Sequence, residues 1–143
     1  MRISIGSDHA GYEVKQKISS FLLSKGYSVN DVGCYSNDSV DYPEFGHNVG
    51  RDIISGTADR GIVVCGSGIG ISIAANKIKG IRAALCFTEE HAKMSRLHND
   101  SNILAIGARM TGGDDILNIV GVWLDTDFEG GRHQMRIEKI EKI

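Results

Sequence analysis

The chain has 143 residues, 41% hydrophobic and 24% charged, with a formal net charge of -2. That length suits a single domain, residues 1–143, with one core, and the charge balance speaks against a nucleic-acid binder, which would carry a basic excess. No run approaches the ~18 apolar residues of a membrane span, Asp8 comes too early for a signal peptide, and three cysteines without CxxC or CxxH spacing point to a reducing cytoplasm rather than to disulfides or zinc.

Apolar runs alternate with amphipathic segments. The first strand is expected at Arg2–Gly6, followed by "SDHAGYE", which sets Asp8 and His9 at the strand tip. Ser7 or Asp8 would cap the helix expected over about 10–25; a carboxylate beside a histidine is also an acid–base pair if both face a cleft. A second strand, Tyr27–Val32, ends at Gly33, with Cys34 in a loop that offers it no partner. "PEFGHNVGRDIISG" then predicts a helix over 43–55, with Pro43 at its start, Gly56 at its stop, and Phe45, Val49 and Ile53 on one face.

The third strand, Gly61–Cys65, runs into Gly66, Ser67, Gly68, Ile69 and Gly70 and a helix over 69–78. Glycines let backbone N–H groups approach a ligand, and the helix start adds partial positive charge, so the loop suits an anion. It has neither the GxxxxGK[ST] of a P-loop nor GxGxxG, and a plain strand-to-helix turn explains the spacing equally well. Cys65 at such a joint is either a small core residue or a thiolate able to act as nucleophile or base. Cys86, inside "IRAALCF" of the strand Ile81–Phe87, reads as core.

A helix over 88–98 carries His91 and ends at His98 and Asn99; with His9, His47 and His133 scattered along the chain, no metal constellation emerges. The fifth strand, Asn102–Ile106, leads to Arg109, and a helix follows over 112–125. In the last helix, near 132–142, Arg132 and Arg136 share a face while His133, Ile137 and Ile140 line another. Two arginines so placed make a phosphate fork, or else a solvated basic face paired with Glu138 and Glu141. Alternating strands and helices predict an α/β protein: a three-layer Rossmann-like fold with a five-stranded parallel sheet covered by helices on both faces, plus a C-terminal helix. In such sheets ligands bind at the carboxyl ends of the strands. Cations, a glycine loop, a thiol, a histidine and a carboxylate together suit a small anionic metabolite undergoing proton transfer.

"GSDHAGYE", "DYPEF", "CGSGIGISIAANKIKGIRAAL", "SRLHNDSNILAIGAR" and "EGGRHQMRIEKI" closely resemble, in order and over nearly the whole chain, the ribose-5-phosphate isomerase B family (the RpiB/LacAB sugar-phosphate isomerases). The resemblance implies a metal-free, cofactor-free aldose–ketose isomerase of ribose 5-phosphate and ribulose 5-phosphate, a homodimer or tetramer with active sites shared across the dimer interface. It places the catalytic base on Cys65, proton handling on Ser67, and ring opening on His98 with Asp8. It places substrate contacts on Asp8, His9, Tyr42, residues 66–70 and Asn99, and phosphate contacts on Arg109, Arg132 and Arg136. Ser67 stands where many members have threonine, and the hydroxyl is kept; branches that lack the cysteine use a glutamate elsewhere. Two alternatives remain: an isomerase of galactose 6-phosphate or allose 6-phosphate, and a non-catalytic phosphate- or nucleotide-binding module, which would leave Cys65 and His98 without a task.

Overall fold

The five expected strands pair in parallel throughout, in a computed structural model that describes residues 1–143. They are β1 (Arg2–Ser7), β2 (Ser28–Asp31), β3 (Arg60–Cys65), β4 (Ala83–Leu85) and β5 (Ile103–Gly107), ordered β2-β1-β3-β5-β4 across the sheet. The helices are α1 (Tyr12–Ser24), α2 (Tyr42–Ile54), α3 (Ile69–Asn76), α4 (Glu89–Asn99), α5 (Gly113–Asp125) and α6 (Arg132–Ile140). The first helical segment opens with a 3-10 turn, His9–Gly11, that Asp8 caps through its side chain. β4 is shorter than its apolar run suggests. It lies at the sheet edge, where the Asn76 side chain donates to Ala83 O (2.9 Å) and accepts from Ala83 N–H (2.8 Å), covering the polar groups that an edge leaves open.

Period two divides each strand between the helix layers. Ile3, Ile5, Ile62, Val64, Leu104 and Ile106 pack with Ile18 and Leu22 of α1, Ala92 of α4 and Trp123 of α5. Val63, Cys65, Ile103 and Ala105 pack with Val49 of α2 and Ile71 and Ala75 of α3. Phe45 and Ile53 flank Val49 on this second side, the face their spacing predicts. The layer fits because α2 sits close to the sheet: a Cβ on Gly61 would meet Val49 Cγ1 at 2.5 Å and Ile103 Cγ1 at 3.1 Å.

The chain winds from β1 outward to β2, then crosses to β3 and continues toward β5 and β4. The crevice between the carboxyl ends of β1 and β3 is therefore the point where the winding reverses, the usual ligand position in open parallel sheets. Backbone bonds hold the loops there: Asp8 N–H to Val64 O (3.2 Å), Ala108 N–H to Cys65 O (2.8 Å) and Arg109 N–H to Gly66 O (2.9 Å). No helix is long and apolar enough to cross a membrane.

Gly61→Ala should lower stability by about 1–3 kcal/mol through overpacking against Val49. Urea unfolding measures this; an unchanged midpoint would mean that α2 has room to withdraw from the sheet.

Candidate active site

Cys65 ends β3 on the α2–α3 side and is 4% exposed. Its Sγ accepts a hydrogen bond from the Gly68 N–H at 3.2 Å, so the first turn of α3 is folded onto the sulfur. Gly68 makes this possible. Its φ is +77°, in the left-handed region that glycine tolerates, and a Cβ there would meet Leu85 Cδ1 at 2.5 Å and Gly107 N at 2.9 Å. Ser67 is half-buried, and its Oγ accepts from Ile69 N–H at 3.2 Å. The Tyr42 ring, at the start of α2, lies directly over Gly70.

The end of β1 meets this loop. Asp8 is 7% exposed, and Oδ1 accepts from Gly11 N–H at 3.0 Å. The second oxygen makes no hydrogen bond within the chain, so capping leaves it free. His9 Nδ1 lies 3.1 Å from Val40 N and 3.2 Å from Val40 O, so the Val40 backbone holds the ring through this nitrogen. Arg109 returns from β5 to the same place, with Nη1 3.3 Å from where a Cβ on Gly66 would sit. Asp8, His9, Tyr42, residues 65–70 and Arg109 thus form one constellation at the carboxyl edge of the sheet.

His98, Asn99, Arg132 and Arg136 are elsewhere. α4 runs back along the sheet, so its last turn lies at the amino edge. There Arg82, just before β4, donates to Asn99 O (2.9 Å) and Asp100 O (3.1 Å), and Asn102 O accepts from Gly61 N–H at the start of β3 (2.9 Å). The five steps of β3 span roughly 17 Å at ~3.3 Å per residue, so a single chain does not bring His98 to Cys65. Within the chain, none of the cavities is lined by Cys65 or its loop.

The amino-edge group is organised in its own right. His98 stacks on His133, with ring centroids 4.3 Å apart and planes 18° from parallel. Glu129 Oε2 lies 4.0 Å from His98 Nε2 and 3.6 Å from His133 Nε2. Burial, then the neighbouring His98, Arg132 and Arg136, holds the His133 imidazole below its ordinary pKa, with Glu129 opposing. Arg132 and Arg136 form no ion pair within the chain. Glu138, offered as a partner for them, accepts from Gln134, and Glu141 pairs with Arg82 at 2.7 Å.

Two expectations are corrected. A cluster of metal-type ligands does exist, His98, Glu129 and His133, with donor atoms all within 4.8 Å of one another. Separations of 31 and 35 residues hide it from any spacing rule. Cys34 is buried and not partnerless: Sγ donates to Ser36 O at 3.3 Å and lies 3.9 Å from Ser7 Oγ. On the other face of α6, His133 and Ile137 are buried and Ile140 is 51% exposed.

The family model for Ribose/Galactose Isomerase (LacAB_rpiB) matches residues 3–140. Ribose-5-phosphate isomerase B of Escherichia coli K12 is 44% identical over 142 residues, covering 99% of this chain and 95% of that protein. The galactose-6-phosphate isomerase subunit LacB of Clostridium acetobutylicum is 42% identical, covering 97% of this chain and 80% of that protein. The solved structure of ribose-5-phosphate isomerase B from Clostridium thermocellum superimposes with a TM-score of 0.99 at 56% identity, covering 99% of this chain and 96% of that one.

Burial pushes the Cys86 thiol up to about 11, so at pH 8 it stays protonated. Iodoacetamide on the folded protein should leave Cys86 unmodified in peptide mass mapping and modify it only after urea unfolding. Equal labelling in both states would contradict the closed sheet–α4 interface.

Proposed function

The chain belongs to the Ribose/Galactose Isomerase family, and on that premise we propose that this sugar-phosphate isomerase interconverts D-ribose 5-phosphate and D-ribulose 5-phosphate, with Cys65 as the base. The observation that carries the reading is the Cys65 joint. A sulfur at the switch point of the sheet accepts from the Gly68 N–H of the loop it opens, and Asp8 and Arg109 come to the same edge of the sheet.

In this reading the closed furanose opens first. His98 gives a proton to the ring oxygen, and the free oxygen of Asp8 takes the anomeric hydroxyl proton. Cys65 thiolate then removes the proton from C2 of the open aldose and returns it to C1, while Ser67 relays the proton between O1 and O2. Negative charge grows on O1, and the amides of Gly66 to Gly70 receive it; preorganised donors of this kind contribute roughly 3–4 kcal/mol each. Tyr42 and Asn99 line the sugar. His9, Arg109, Arg132 and Arg136 hold the phosphate, so binding energy remote from C1 and C2 orients them. No step needs a metal or a cofactor.

The residues come from both edges of the sheet, so the site takes two copies of the chain. One supplies the Cys65 loop, Asp8, His9, Tyr42 and Arg109; the other supplies His98, Asn99, Arg132 and Arg136. Three observations support this. Arg132 and Arg136 have no partner within the chain. Ile69 and Ile73, one turn apart on α3 beside the loop, are 52% and 55% exposed. The loop itself faces no cavity. A two-fold dimer repeats the arrangement twice. Three free thiols suit a cytoplasmic location.

The 42% identity to a galactose-6-phosphate isomerase subunit favours a six-carbon sugar phosphate as the second reading. Turnover of ribose 5-phosphate against galactose 6-phosphate and allose 6-phosphate, each with EDTA present, distinguishes them. EDTA should leave the rate undiminished.

Cys65→Ala should lower kcat by ~10²–10⁴-fold, the usual contribution of a positioned base, with little change in KM; activity near wild type would place the base elsewhere. Arg136→Ala should chiefly raise KM, and an unchanged KM would remove it from the phosphate site. Mixing inactive Cys65→Ala with inactive His98→Ala protein should restore about a quarter of wild-type activity, since random two-fold pairing makes half the dimers mixed, each with one intact site. No recovery after subunit exchange would show that each chain works alone.

A further inference from the structure

We propose that His98, His133 and Glu129 form a binding site for a nitrogen-preferring divalent transition ion, Zn²⁺, Co²⁺ or Ni²⁺, whose occupancy inhibits the enzyme by engaging His98. Two imidazoles and one carboxylate, with an open fourth position, make a donor set that such ions take. Ligand atoms about 2.1 Å from zinc at tetrahedral angles lie roughly 3.4 Å apart. Here Glu129 Oε2 is 3.6 Å from His133 Nε2 and 4.0 Å from His98 Nε2, and all three donors fall within 4.8 Å of one another.

A second observation points to a ligand. His133 is 4% exposed, and its Nε2 is buried with no hydrogen-bond partner, directed at the Glu129 carboxylate. A buried polar atom left unsatisfied is costly, and an ion would complete it. His133 is thus the fixed ligand. The other two side chains are free to adjust, His98 at 40% and Glu129 at 57% exposure. The adjustment is defined: the stacked imidazoles cannot both point their lone pairs at one ion, so the His98 ring turns off its neighbour as it binds.

Arg132 and Arg136 flank the site, and their charge selects among cations. Mg²⁺ and Ca²⁺ bind oxygen donors and depend on negative charge; one carboxylate between two arginines offers little of it. Ions that bond imidazole covalently tolerate such surroundings better.

The test is titration of the chelator-stripped protein with CoCl₂, read by visible d–d absorption, beside ZnCl₂ inhibition of sugar-phosphate turnover. We expect one ion per chain, affinity reduced at least ~10-fold in Glu129→Gln, and binding lost in His133→Gln. Glu129 is exposed, so its variant keeps the test decisive if His133→Gln misfolds. Absence of saturable binding, or Co²⁺ affinity unchanged by Glu129→Gln, overturns the site. The binding arm needs no turnover and stands whatever the substrate proves to be. Inhibition rests on His98 acting in ring opening: Co²⁺ binding without Zn²⁺ inhibition would uphold the site and remove His98 from that step.

Discussion

The parallel pairing of β1 with β3 is the constraint on which the rest depends. Gly6 and Ser7 register with Val63 and Val64, so both strands end level. The chain leaves β1 toward one sheet edge and β3 toward the other, and neither connection covers the gap between them. Asp8 and Cys65 are neighbours for this reason, although 57 residues separate them. Gly11 seals the arrangement, since a Cβ there would strike Val64 O at 2.7 Å. The first turn after β1 can therefore lie flat on the end of β3.

The amino edge is built on different physics. Arg96, 5% exposed, donates to Asp100 Oδ1 and Ser101 O, each at 2.7 Å, and to Thr126 O at 3.1 Å. Trp123 Nε1–H donates to Ser101 Oγ at 2.8 Å, and Ser101 shares a hydrogen bond with Ser95. Buried polar groups satisfied this fully fix a unique geometry. They lock the end of α4 to the end of α5, and α6 then lays His133 against His98. A rigid polar frame thus presents a histidine pair and two unpaired arginines at a surface, where nothing in the same chain uses them.

The two edges are complementary in what they lack. The carboxyl edge has the thiol, the loop amides and the carboxylate, with one arginine; the amino edge has two unpaired arginines and the stacked imidazoles. The length of the strands keeps the two about 17 Å apart within a chain, at ~3.3 Å per residue of β3.

Much was legible in the sequence. Short apolar runs marked the strands and the four-residue apolar spacing of Phe45, Val49 and Ile53 marked a helix, because burial is a local pattern read along the chain. Pro43, Gly56 and the glycine loop gave the boundaries, because special backbone conformations need particular residues. Cys65, Asp8 and Arg109 stood out because strand ends in a parallel sheet converge. Distance and pairing across the fold were not legible. The Glu129–His133–His98 cluster, the contacts of Cys34, the unpaired state of Arg132 and Arg136, and the separation of His98 from Cys65 all depend on which elements pack together. Only the tertiary structure decided these, because a contact between α4 and α6 is set by shape and by the buried polar frame beneath it, and leaves no periodicity in the sequence.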